Sequence, residues 1–212
     1  MFVYHQLLLV LVTTRVKFML IECNKLKWHI MSTVNSTVSK SMQHLRNTFR
    51  HVDGLEDVGY GQSVCGRSLP RFKSATRPFV QVLNIGDHWV CATNAFSNNK
   101  NQIFWYDSLH GTVSYQSVVQ LTSLVRRHVD SGDCITVFRR LCDHQPPSSR
   151  LCGHFAVATA LAVCHGIDPT GCGYDTEILV QVIDRHLTTG ICDTVPVKHH
   201  KHADNISVRL LL

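Results

Sequence analysis

Residues 145–163, QPPSSRLCGHFAVATALAV, decide which fold the chain can adopt. The stretch begins as a polar loop with two prolines and continues from Cys152 as a nearly unbroken run of small and apolar residues. Such a run leaves no wide polar face, so it predicts a central helix packed on several sides. Cys152 would lie in its first turn, where unpaired N–H groups and the helix dipole favour thiolate over thiol. We therefore predict a nucleophile at the N-terminus of a buried helix, with Gly153 leaving room for substrate to approach.

The segments around this helix alternate between strand and helix patterns. Three short runs of β-branched and aromatic residues, RPFVQVLNI, HWVCATNAF and QIFWYDS, are separated by Gly86-Asp87 and by SNNKN, which predicts consecutive hairpin strands. A fourth strand is predicted at DCITVFRRL. Helices are predicted over 28–49, over a segment capped by Ser114 and ended by Gly132, and at TEILVQVIDRHL. This order predicts an α+β domain whose mostly antiparallel central sheet is packed by helices.

Composition limits the class of protein. A chain of 212 residues with 44% apolar and 17% charged residues fits one globular domain. We place the domain at 28–196, after an N-terminal extension at 1–27 and before a basic, His-rich tail at 197–212. The extension could be a signal peptide, a part of the domain or an artefact of the gene model. Its apolar run LLLVLV is too short to span a membrane, so we expect no membrane association.

Charge and cysteine content indicate the compartment and the partners. The net charge of +6 comes from scattered basic residues rather than one stripe, and it suits an acidic partner surface as well as nucleic acid, so the charge does not decide the partner. Our expectation is a protein partner rather than nucleic acid. The nine cysteines include no C-x-x-C pair, which favours free thiols over zinc ligands or disulfides. Free thiols indicate a reducing compartment, the nucleus or cytoplasm. We expect an intracellular monomer without a metal or other cofactor.

Two polar residues on the predicted hairpin complete a catalytic set with Cys152. A thiolate nucleophile needs an imidazole beside it, and the imidazole needs a third group to orient it. His88 starts the second strand and Asp107 ends the third, so a hairpin would bring both to the same end of the sheet. Gln145 supplies a side-chain amide on the loop before Cys152 and is a candidate donor to an oxyanion.

The ordered set of His88-Trp89, Asp107, Gln145 and Cys152 at the head of an Ala-rich helix resembles the ubiquitin-like-protein (SUMO) proteases, relatives of the adenoviral proteinase. It looks closest to divergent members carried by mobile elements. The resemblance implies a papain-like fold, with His88 as general base, Asp107 orienting it, and Cys152 as nucleophile. It also implies that Gln145 and the Cys152 N–H form the oxyanion hole and that Trp89 covers a channel for a Gly-Gly tail. The implied substrate is a protein, such as a ubiquitin-like modifier or a polyprotein.

The sequence departs from this family at two places. Leu151 stands where the family has an acid before the nucleophile, and the family's opening motif of Trp followed by Leu-Asn-Asp appears only as WHIM at 28–31. These departures keep open an inactive peptidase-like module that binds a ubiquitin-like or mobile-element protein. A nucleic-acid-associated protein is a second alternative. Taken alone, Cys152 could be a buried structural thiol, Asp107 the start of a turn, and Gln145 a polar loop residue.

Overall fold

The computed structural model describes residues 34–56, 77–86, 88–111, 113, 114, 117, 120–122, 135–199 and 206–208. The chain divides into two compact units, Met1–Ser36 and Thr37–Leu212, and the following account concerns the second. The predicted extension at 1–27 and the WHIM segment lie outside the described residues. The placing of a domain at 28–196 therefore stays a prediction.

The secondary-structure elements follow the predicted order, with additional short strands. In chain order they are α1 (37–48 in this unit), β1 (Asp53–Gly54), β2 (Phe79–Asn84), β3 (Trp89–Thr93), β4 (Gln102–Tyr106), α2 (described at 117 and 120–122), β5 (Thr136–Arg140), α3 (Cys152–Cys164), β6 (Cys172–Tyr174), α4 (Thr176–Thr189), β7 (Val197–His199) and β8 (Ile206–Val208).

The main sheet has six strands in the order β1-β2-β3-β4-β5-β8, and β6 pairs with β7 in a second sheet. The pairs β2–β3, β3–β4 and β5–β8 are antiparallel, whereas β1–β2 and β4–β5 are parallel. The parallel β4–β5 pair requires a crossover connection, and α2 lies in it. The predicted α+β class with a mostly antiparallel sheet is confirmed.

Helix α3 is the central helix that its composition predicts. Every residue of it except His154 is buried, and the helix packs against β2 and β3. Residues of β3 alternate between the two faces of the sheet, so Val90 and Ala92 face away from Cys91. Val90 and Ala92 belong to a core cluster that also includes Leu121 of α2. Helices therefore pack on both faces of the sheet, which explains why its central strands are buried throughout.

The helix ends show local capping interactions. Ser114 Oγ accepts a hydrogen bond from Ser117 N at 3.2 Å, as the predicted cap of α2 requires, while Gly132 lies outside the described residues. Helix α4 begins at an Asp175 side chain that accepts bonds from two first-turn N–H groups. It ends at Gly190, which has φ of 73°, a conformation that suits glycine.

Part of the predicted C-terminal tail is paired into the two sheets. Val197–His199 forms β7 beside β6, and Ile206–Val208 forms β8 along the outer edge of β5. Among the described residues, no helix combines the length and the apolar character needed to cross a membrane.

Candidate active site

The β3–β4 pairing brings His88 and Asp107 together. His88 directly precedes β3 and Asp107 directly follows β4. The two strands are antiparallel, with Cys91 opposite Tyr106, so the start of β3 lies beside the end of β4. His88 Nε2 lies 2.6 Å from Asp107 Oδ1, and both side chains are buried. The structure thus forms the imidazole–carboxylate pair that the hairpin predicts.

The Asp107 carboxylate is held by the loop that follows β4. Oδ1 also accepts from Leu109 N at 2.8 Å, and Oδ2 accepts from Gly111 N at 3.0 Å. Burial alone would raise the pKa of Asp107, but the bonds from His88 and from the two backbone N–H groups lower it below its usual value. A Cβ at position 111 would lie 3.1 Å from Oδ2, so glycine allows this close approach. Asp107 therefore starts a turn and also orients His88.

Cys152 is the first residue of α3, and its exposed fraction is 9%. Leu151 occupies the N-cap position and makes no side-chain capping bond, and the first turn contains no acidic residue. The side chain at the N-cap position therefore satisfies none of the N–H groups in the first turn of α3. An acid at position 151 would compete for these groups, whereas Leu151 leaves them available to an anion.

His88 interacts with both Asp107 and Cys152, through a 2.6 Å hydrogen bond to Asp107 and through an effect of Cys152 on the pKa of the imidazole. Burial lowers the pKa of His88, but hydrogen bonds with Asp107 and Cys152 and the negative charges of both raise it to about 9. Because Nε2 is bonded to Asp107, Nδ1 is the nitrogen left for Cys152. The imidazole is therefore protonated at neutral pH, between a carboxylate and a sulfur.

This raised pKa makes a contribution to stability that depends on pH. A group whose folded pKa lies above its unfolded value stabilises the fold fully below the unfolded pKa, here 6.5, and loses that contribution as pH rises through about 9. We expect the free energy of urea unfolding of the wild type to exceed that of His88→Gln by an amount that shrinks between these two pH values. Subtraction of the variant cancels the titration of the other groups. A difference that stays constant across this pH window would contradict the ion pair.

Gln145 is buried, and hydrogen bonds hold both its side chain and its backbone. Its Oε1 accepts from Ser108 Oγ at 2.8 Å, its Nε2 donates to Ser149 O at 3.0 Å, and its backbone N donates to Ser108 O at 3.0 Å. Among the described residues, Ser149 O is the only acceptor for Nε2, which leaves its second proton available to a ligand. The assignment of Gln145 as an oxyanion donor stays a prediction that this geometry permits.

The two candidate substrate-binding residues are both buried. Trp89 is the first residue of β3 with an exposed fraction of 5%, and it lines a pocket together with Ser108 and Phe155. Gly153 lies in the first turn of α3 beside the nucleophile. Their contacts with substrate stay predictions.

Near the His88–Asp107 pair, Arg139 and His110 make contacts that the sequence analysis did not predict. Arg139 of β5 donates to the carbonyl oxygens of His110 and Gly111 at 3.3 and 3.1 Å. The ring of His110 contacts Cys142 O at 2.8 Å. These bonds fix the loop at 107–111 to β5 and to the chain before Gln145. No sequence signal distinguishes Arg139 from any other arginine on a strand.

Comparison with known proteins identifies the fold. No protein-family model and no curated protein sequence matches the chain. Two solved structures of the SUMO protease Ulp1 match it, one with the catalytic cysteine oxidised to a sulfenic acid and one with it oxidised to a sulfinic acid. The first is 14% identical with a TM-score of 0.51, and the second is 13% identical with a TM-score of 0.50. Each match covers 75% of this chain and 78% of the Ulp1 chain. The chain thus has a Ulp1-like fold of the papain-like class, as predicted.

Proposed function

We propose that this protein is a cysteine peptidase or isopeptidase that cleaves the C-terminal bond of a ubiquitin-like modifier or a bond within a polyprotein. One observation carries the proposal: His88 is bonded to Asp107 at 2.6 Å, and interaction with Cys152 helps to raise the pKa of the imidazole. These three residues come from the start of β3, the end of β4 and the start of α3. Such an arrangement of nucleophile, imidazole and carboxylate is recognised by geometry, and it is the arrangement that thiol hydrolysis requires.

In the proposed mechanism, His88 holds the proton of the Cys152 thiol while Cys152 Sγ attacks the carbonyl carbon of the scissile bond. The oxygen of the tetrahedral intermediate accepts bonds from the Cys152 N–H and from Gln145 Nε2. Collapse breaks the C–N bond, and His88 gives its proton to the leaving amine. A thioester on Cys152 remains. His88, now neutral, then takes a proton from water, which attacks the thioester and releases a carboxylate and the thiol.

A modifier of the SUMO type is the proposed substrate because the fold is shared with a SUMO protease. Trp89 and Gly153 would line the path of its C-terminal tail. Free thiols persist most readily in a reducing compartment, and we propose the nucleus or cytoplasm as the location and a monomer as the state of the protein. The association with mobile elements stays a prediction from the resemblance alone.

Selective alkylation of Cys152 tests the chemistry without knowledge of the substrate. Burial raises the pKa of Cys91, Cys142, Cys164, Cys172 and Cys192, which slows their reaction with iodoacetamide. We expect brief treatment of the folded protein at neutral pH to modify Cys152 first, as read by peptide mass spectrometry. SUMO carrying a C-terminal vinyl sulfone should form a covalent adduct at the same residue. His88→Ala should slow both reactions, because it removes the imidazole that interacts with Cys152.

The contrary result is a folded protein in which Cys152 reacts no faster than the buried thiols and forms no adduct with SUMO, ubiquitin or NEDD8 vinyl sulfone. Binding of one of these modifiers without an adduct would favour the inactive peptidase-like module instead. Adducts with ubiquitin or NEDD8 alone would keep the peptidase and change the modifier.

A further inference from the structure

We infer that Ser108 is a positioning residue that holds the carboxamide of Gln145 in the orientation needed to donate to an oxyanion. This inference rests on the proposed function and concerns the same site. Ser108 directly follows Asp107, so it lies between the carboxylate that orients His88 and the amide assigned to the oxyanion hole. Ser108 and Gln145 are both buried, with exposed fractions of 5% and 3%.

The hydrogen bonds fix which end of the carboxamide faces which partner. Ser149 O can only accept, so the nitrogen of Gln145 must face it, at 3.0 Å. The oxygen of Gln145 then faces Ser108 Oγ at 2.8 Å, and the hydroxyl must donate. A second bond, from Gln145 N to Ser108 O at 3.0 Å, ties the two backbones together. Ser108 thus contacts Gln145 through both its side chain and its backbone.

The bond from Ser108 has an electronic consequence as well as a steric one. A donor to the carbonyl oxygen of an amide withdraws electron density from its nitrogen and makes the remaining N–H a stronger donor. Together with Ser149 O, which accepts from the nitrogen, the hydroxyl also restrains rotation of the carboxamide about its last torsion. Removal of the hydroxyl leaves a buried carbonyl oxygen unpaired and the amide less strictly oriented.

The decisive comparison is a cycle of Ser108→Ala, Gln145→Ala and the double variant. Loss of one oxyanion donor lowers kcat about 10²- to 10³-fold. Because Ser108→Ala only weakens the donor, we expect it to lower kcat about tenfold or more, up to that limit. KM for SUMO-aminomethylcoumarin and the rate of Cys152 alkylation should change little, because alkylation forms no oxyanion. The double variant should hydrolyse no more slowly than Gln145→Ala alone. Ser117→Ala is the matched control, since Ser117 is equally buried and shares a 2.8 Å hydroxyl bond with Ser114.

Three outcomes of this cycle would overturn the inference. The first is a Ser108→Ala variant with wild-type kcat. The second is a double variant whose fold-loss in kcat equals the product of the two single-variant losses. In the third, the alkylation rate falls together with kcat, which would show that Ser108 acts through Asp107 and His88 instead.

A second measurement does not depend on activity. The side-chain amide protons of Gln145, assigned by their loss in Gln145→Ala, should give separate and slowly exchanging NMR signals in the wild type. In Ser108→Ala these signals should move toward solvent-exposed positions and exchange faster, whereas Ser117→Ala should leave them in place. A wild-type protein that neither hydrolyses nor alkylates would contradict the proposed function. Unchanged Gln145 signals in Ser108→Ala would contradict the present inference, whatever the activity.

Discussion

Cys152→Ala is expected to reduce the hydrolysis of SUMO-aminomethylcoumarin by about 10⁴-fold or more, because removal of a nucleophile leaves only the catalysis due to binding and the oxyanion hole. The fold should persist, since alanine is smaller and has a high helix propensity. The measurement is kcat/KM at neutral pH together with the urea midpoint of unfolding. Adduct formation with the vinyl sulfone should be abolished in the same protein.

Cys164→Ala is the matched control, because Cys164 is the last residue of the same helix and is also buried. It removes a thiol from α3 at the end opposite Cys152, and burial raises the pKa of that thiol to about 12. We expect hydrolysis by Cys164→Ala to stay close to the wild-type rate. Full activity in Cys152→Ala would rule out the proposed nucleophile, and equal losses in both variants would indicate damage to the helix instead.

Asp107→Asn is expected to cause the second largest loss, about 10²- to 10⁴-fold in kcat/KM. All three partners of the carboxylate are donors: His88 Nε2, Leu109 N and Gly111 N. An asparagine must turn its NH₂ group toward at least one of these donors, and the smallest loss leaves the part-buried Gly111 N without its acceptor, at a cost of about 1 kcal/mol. The arrangement with NH₂ toward Gly111 keeps the bond to His88 but removes the negative charge.

The pH profile separates this charge effect from general disruption. Without the carboxylate, the pKa of His88 should fall below its value of about 9, so the alkaline limb of kcat should move to lower pH. Asp175→Asn is a suitable control, because Asp175 caps α4 and asparagine caps a helix about as well as aspartate. A wild-type alkaline limb in Asp107→Asn would contradict the role of Asp107 even if activity fell.

Local sequence patterns predicted the longer elements correctly. Strands β2 to β5 alternate or are rich in β-branched and aromatic residues, and α3 is apolar over most of its length, so short windows contain enough signal. The strands β1, β6, β7 and β8 have two or three residues each. Their formation depends on partners distant in the chain, and no local period reveals them.

The residues of the proposed catalytic set and their supports differ in the same way. The sequence indicates His88, Asp107 and Cys152 as candidates because their chemistry is specific, and strand order predicts the pairing of His88 with Asp107 that the structure contains. Ser108 and Arg139 have ordinary residue types and act only through contacts that loop closure creates. Their roles could not be predicted before the positions of Gln145 and His110 were known.

The pairing of β8 with β5 affects how the domain completes folding during synthesis. Ile206–Val208 covers the edge of β5 that β4 leaves open. While these residues remain inside the ribosome, β5 presents an unpaired edge to other nascent chains, and such an edge is prone to intermolecular pairing. Strands β3 and β4, beside which His88 and Asp107 lie, precede β8 in the chain and can pair before it emerges. Pairing of β8 would therefore protect the β5 edge from aggregation and would not be needed for the chemistry at Cys152. We expect a bulky tag placed directly after β8 to lower the soluble yield.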